Sequence, residues 1–262
     1  MISDALMRCV RLPWERISHA LLLGFLVVSV LWHGGRTLEM TWALVGVTWA
    51  VLAVAWMRRH QTQHQTLPRA LPVLVTCFVL WVVASFFTSS VKNYGLDEVF
   101  RTVSFALLFF WMARQPEESP IRRRVLKAIA VVALLAAGIG VAVYVLQPVN
   151  RFTGTFFNMS RHTDYWPNAW AEFVLLAWPV VLLFTYRKSL EGGSLVQRAA
   201  HCCVKAGPLG LLLASLALSY SRAAAIVFLG QIVLLVLWGM RRKLVWKKYV
   251  PLIMGSFVVA LL

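Results

Sequence analysis

An all-α integral membrane protein, a polytopic bundle of about nine helical spans, is the fold class this sequence predicts. Three observations predict it. Hydrophobic residues make up 60% of the 262-residue chain and charged ones 14%, against roughly 25% charged in an ordinary soluble domain. Apolar runs of bilayer length recur along the whole chain, about 20 residues being what one helical span needs. The Lys and Arg residues gather in short clusters at every second gap between those runs, the pattern that orients membrane proteins.

Taken in order, the first element follows "MISDALMRCVRLPWERISHALLLGFLVVSVLW". A basic leader precedes an apolar run with no small-x-small cleavage site, which predicts an uncleaved span over 17–33 rather than a removed signal peptide. Spans are predicted over 39–57 and 71–88, joined by "RRHQTQHQT". His60 and His64 have i,i+4 spacing there, but a polar connection predicts solvated side chains, not a metal pair. The fourth span covers 99–113 with its outer end extended to Leu96. Further spans are read at 125–147, 169–186, 204–219, 222–240 and 249–262. The last, within "YVPLIMGSFVVALL", has no polar tail, and the expectation is that the parent protein continues. The chain 1–262 is read as a single membrane domain.

Charge fixes the predicted orientation. With a cytoplasmic amino terminus, the outer side keeps only Arg36, Lys92, Arg101, Arg151, Arg161 and Arg222, leaving 20 of the 26 Lys and Arg inside. The ten Asp and Glu split evenly and do not create this bias. The net charge of +16 therefore reflects positive-inside orientation, and nucleic-acid binding is excluded as a reading. Four cysteines are too few for a disulfide framework. Cys9, Cys202 and Cys203 fall on the predicted cytoplasmic side and Cys77 inside a span, so no disulfide is expected.

One charge stands out. Arg222 is the sole charge between Pro208 and Met240, and an arginine at the centre of a membrane helix costs roughly 2.5–3.5 kcal/mol on insertion scales. A straight helix over that run would be about 50 Å long, far beyond the roughly 30 Å hydrocarbon core. Both flanking loops are basic and belong inside, so the chain must cross twice and turn near "SYSR". Arg222 then lies at an outer turn, where it snorkels to the headgroups or serves a ligand.

The outer side holds a cationic constellation. Ser221, or Ser219, is placed to cap a helix starting at Arg222, leaving N–H groups at Ala223, Ala224 and Ala225 for an anion. Such a terminus with a guanidinium fork suits phosphate. The outer loop, about 147–168, carries Arg151 and Arg161 among Phe152, Phe156, Phe157, Tyr165 and Trp166, with Trp170 just beyond. These rings form an interfacial belt or stack on sugars of a lipid-linked anion. Pro167 and Asn168 mark the next helix start, with Asn168 as cap. His162 and Asp164 are a solvated pair or an acid/base pair. Asp97 and Glu98 offer hard oxygen ligands, but a lone acidic pair does not define a metal site, and no metal or other cofactor is expected.

The order "RFTGTFFNMSRHTDYWPNAWAEFVLLAWPVVLL" and then "LALSYSRAAAIVFLG" resembles the O-antigen ligase and polymerase superfamily, through Arg-x-x-Gly-Thr-Phe, an Asn before a helix, and a Ser-x-Ser-Arg turn. The resemblance implies a bundle like that of GT-C-type glycosyltransferases in a bacterial inner membrane, active on the periplasmic side. It implies glycosyl transfer from undecaprenyl diphosphate-linked O-antigen to lipid A–core, without metal. For the polymerases of the superfamily the acceptor is another lipid-linked repeat. Arg222 matches the Ser-Arg position, Arg161 the arginine beside the outer loop with Arg151 as its competitor, and Ser221 supports the anion. The family's base histidine is expected beyond Leu262. A transporter of lipid-linked sugar or anion is the reading from another class; the smoothly apolar first, second and fifth spans count against it.

Overall fold

The computed structural model describes residues 17, 19–32, 38–57, 67–90, 92–116, 119–146, 150–157, 166–186 and 195–241. Among them the regular structure is helical, apart from an isolated β-bridge at Phe157. The helices are α1 (His19–Leu31), α2 (Leu38–Met57), α3 (Ala70–Thr88), α4 (Lys92–Ala113), α5 (Pro120–Leu146), α6 (Pro167–Tyr186), α7 (Leu195–Leu218) and α8 (Arg222–Arg241). They coincide with the first eight apolar segments of the sequence; the ninth, 249–262, lies outside the described residues. Four helices are long and apolar enough to cross a membrane: Glu39–Trp56, Ala70–Thr88, Pro120–Leu146 and Pro167–Phe184. The apolar stretches of α1, α7 and α8 are shorter.

Proline sets two of the helix starts that differ from the sequence reading; α4 and α7 also begin earlier than expected, at Lys92 and Leu195, without a proline there. α5 begins five residues before the predicted 125 because Ser119 and Pro120 form a start signal: the Arg123 N–H donates to Ser119 O at 3.3 Å, and proline fits the first helical position, where its missing N–H costs nothing. For the same reason Pro167 opens α6. The Trp170 N–H donates to Trp166 O at 3.1 Å, so Trp166 holds the cap position and the expected cap, Asn168, sits one residue inside Pro167.

The chain divides into two compact units, Met1–Ser29 with Gly35–Leu126 and Val30–Gly34 with Lys127–Leu262. In the first, α4 packs against both α2 and α3. The Trp49 indole donates to Ser104 Oγ at 3.1 Å, and Trp42 lies on Phe100. α3 has no buried residue at all; Leu74, Phe78, Trp81 and Phe87 all point outward. A helix apolar on every side and this exposed suits the hydrocarbon of a membrane rather than water.

The second unit has a dense core. α5 lines it with Ala133, Ala136 and Ala137, each fully buried, a small-residue stripe that lets neighbours approach its backbone. α6 and α7 pack along their length, and α8 closes against both. Pro179 interrupts α6 and deprives the Leu175 carbonyl of its usual donor four residues on. Gln231 of α8 replaces it, its Nε2 donating to Leu175 O at 3.2 Å while its Oε1 accepts from the Trp178 indole at 2.7 Å. One side chain thereby satisfies two groups that lipid could not.

Candidate functional site

The segment Arg151–Phe157 is a packed plug. Gly154 adopts φ +56, a left-handed backbone that glycine takes without a Cβ penalty. A Cβ there would lie 2.2 Å from the Trp170 ring, and one on Gly140 of α5 would lie 2.5 Å from Gly154 Cα. The two glycines thus set how deeply the segment sits. Phe152 and Phe156 both pack against Trp170, whose indole donates to Ser215 Oγ at 3.2 Å. Thr155 Oγ1 donates to Val30 O at 2.7 Å, and the Trp166 N–H returns to Phe156 O at 3.0 Å.

This corrects the expected use of the rings. Phe152, Phe156, Phe157 and Trp170 are 1%, 7%, 6% and 0% exposed, so they form core and none is open to a sugar. The physical reason is Gly154: its turn folds the aromatic segment inward onto α5 and α6. Trp166 is half-buried.

The plug is bonded to the turn between α7 and α8. The Phe152 N–H donates to Leu218 O at 2.9 Å. Arg151 Nε donates to Ser219 O at 2.8 Å and its Nη2 to Asn168 Oδ1 at 3.0 Å. Two carbonyls at the end of α7 are satisfied this way, and Arg151 lies where the negative end of the helix dipole favours a cation. Its fork is engaged by the protein, a structural tie that sequence spacing did not disclose. Asn168, expected to cap α6, instead accepts from Arg151.

The turn itself runs Ser219-Tyr220-Ser221. Tyr220 has φ 51, and the Ser219 hydroxyl bonds back to Leu216 O at 2.6 Å. The Ser221 N–H approaches Ser219 Oγ at 3.4 Å. Ser221 O accepts the Ala225 N–H at 3.0 Å, which makes Ser221 the cap residue of α8. This amends the expected donor set: Ala225 is engaged within the helix, and the N–H groups before the first helical bond are those of Arg222, Ala223 and Ala224. Ala224 is buried, whereas Arg222 and Ala223 are exposed.

Arg222 is placed opposite to Arg151 in every respect. It stands at the positive end of a helix dipole, which disfavours a cation by roughly 0.3–1 kcal/mol. It is exposed, and no ion pair or side-chain hydrogen bond joins it to the other described residues. Arginine stays charged under desolvation, so guanidinium and helix terminus add their positive potentials at one spot. Such a spot is chemically suited to a multiply charged anion.

The remaining predicted residues fall elsewhere. Arg161, His162, Asp164 and Tyr165 lie outside the described residues, as do His60 and His64. Glu98 pairs with Arg101 one turn along α4 and accepts from Thr102, so its carboxylate already has cationic and hydroxyl partners. The chain matches no protein-family model, no curated protein and no solved structure.

Proposed function

We propose that this chain belongs to a metal-independent glycosyltransferase of the O-antigen ligase and polymerase type. It moves O-antigen polysaccharide from undecaprenyl diphosphate to lipid A–core on the periplasmic side of a bacterial inner membrane. In this reading the chain contributes about nine spans to a GT-C-like bundle, with a cytoplasmic amino terminus. The observation that carries it is Arg222, an exposed guanidinium at the wrong end of a helix dipole with no counter-ion among the described residues. A second observation supports it: the Arg-x-x-Gly-Thr-Phe plug and the Ser-x-Ser-Arg turn, distant in sequence, are hydrogen-bonded to each other.

The chemistry follows from the leaving group. As the glycosidic bond to undecaprenyl diphosphate breaks, negative charge accumulates on the diphosphate oxygens. The N–H groups of Arg222 and Ala223, fixed by the start of α8, donate to it with little reorganisation, the exposed Arg222 guanidinium closes on it from solvent, and Ser221 offers its hydroxyl beside them. Arg151 contributes by holding the turn. Arg161 belongs to the same reading as a second diphosphate ligand. The acceptor hydroxyl needs a base neutral near pH 7, a role suited to histidine, and no described residue is assigned to it.

A lipopolysaccharide gel from a strain lacking the gene, complemented with wild type or Arg222→Ala, tests this. Bare core with lipid-linked O-antigen accumulating identifies the ligase; core bearing a single repeat identifies the polymerase. An unchanged ladder refutes both. Arg222→Lys restores little, since a point charge lacks the bidentate fork. Transport of a lipid-linked sugar is the second reading, favoured by Pro179 inside α6; against it, the helix is continuous and Gln231 serves the carbonyl that the proline frees.

A further inference from the structure

Arg151 is a cation held by neutral oxygens. Its Nε donates to Ser219 O and its Nη2 to Asn168 Oδ1, a main-chain carbonyl and a side-chain amide. Two stabilising effects favour aspartate over asparagine at position 168. A carboxylate of the same shape would accept the guanidinium more strongly. It would also stand in the first turn of α6, which has no acidic residue and where the helix dipole favours one. The one acidic residue of α6, Glu172, lies about a turn beyond Asn168 and forms no ion pair with Arg151. What the amide does, and a carboxylate would not, is fix Arg151 while leaving its positive charge standing.

That charge is tied to the turn before Arg222. Ser219, the other acceptor of Arg151, precedes Arg222 by three residues, so their Cα atoms lie within about 11 Å of each other. We propose that Asn168 is a positioning residue for anion binding: it holds Arg151 at the α7–α8 turn without neutralising it, so that the turn presents two positive charges. The inference rests on the diphosphate reading of Arg222 and deepens it. Arg151 acts through its field and Arg222 by contact. Two uncancelled charges match a lipid diphosphate better than a lipid monophosphate, and Asn168 sets that preference through Arg151.

The full chain in lipid nanodiscs is titrated with a polyprenyl diphosphate and with the matching monophosphate, and each variant is also melted without ligand. Asn168→Asp should melt at or above wild type yet bind the diphosphate about fivefold more weakly, with a smaller loss for the monophosphate. Asn168→Ala should melt lower but keep most of the affinity, since Arg151 retains its charge and its bond to Ser219 O. Affinity that instead follows the melting temperature, with Asn168→Ala weakest and Asn168→Asp unimpaired, overturns the inference and leaves Asn168 a brace. So does an Asn168→Asp protein that melts below wild type. In either case Arg222→Ala still weakening both probes leaves the diphosphate reading standing. Diphosphate binding that is indifferent to Arg222→Ala overturns that reading, and the role of Asn168 with it.

Discussion

At the scale of single residues, two arginines with the same chemistry divide into different duties by position. Arg151 sits at the carboxyl end of α7 with its Nε and Nη2 both bonded. Arg151→Ala therefore leaves Ser219 O and Asn168 with one partner fewer, and should lower the thermal midpoint in detergent by several degrees while Arg222→Ala barely changes it. Arg151→Lys should recover only part of the loss, since an ammonium does not reproduce two fixed, divergent bonds. Gly154→Ala should be worse: a Cβ 2.2 Å from the Trp170 ring adds overpacking to left-handed strain, about 2–5 kcal/mol together. Differential scanning fluorimetry ranks the four variants. Arg222 was legible in the sequence because it is one charge in a long apolar run. Arg151's bonds were not, because the identity of its acceptors depends on segments 17 and 68 residues away.

At the scale of elements, the eight helices were legible because apolar runs, basic loops and proline starts all act locally. The break at Ser219–Ser221 was legible too, from helix length against bilayer thickness. What escaped the sequence was which polar group answers which. Gln231 is the one polar side chain along α8 between Arg222 and Arg241, a visible signal. Its partner is a carbonyl exposed by a proline on another helix. Gln231→Leu should destabilise by about 1–3 kcal/mol. In a Pro179→Ala background, where α6 restores its own bond to Leu175 O, the same change should cost measurably less. Unfolding in mixed detergent with a double-mutant cycle gives the coupling directly, and full additivity would reject the clamp.

At the scale of the molecule, α3 makes the clearest demand on its surroundings. A 19-residue helix with no buried side chain has lipid as its natural solvent, and Cys77 lies exposed on it. In a chain with Cys9, Cys202 and Cys203 changed to serine, a membrane-impermeant maleimide should leave Cys77 unmodified in intact membranes. Rapid labelling there would contradict a span at α3. Divalent chelation should leave transfer intact in the gel assay, and activity lost to chelation and restored by magnesium would return Asp97 and Glu98 to consideration.

The bond between Arg151 and Ser219 also has a history in time. The two residues lie 68 positions apart, and synthesis at about 5–20 residues per second separates their emergence by roughly 3–14 s. During that interval the Phe152 N–H lacks its Leu218 acceptor, Arg151 its Ser219 acceptor and the Trp170 indole of α6 its Ser215 acceptor, and water or headgroups must serve them. The nascent chain therefore passes through a stage in which the buried plug lacks partners that the finished fold gives it. Ribosome pausing or truncation between α6 and α8 would hold it there, open to membrane proteases that the finished fold excludes.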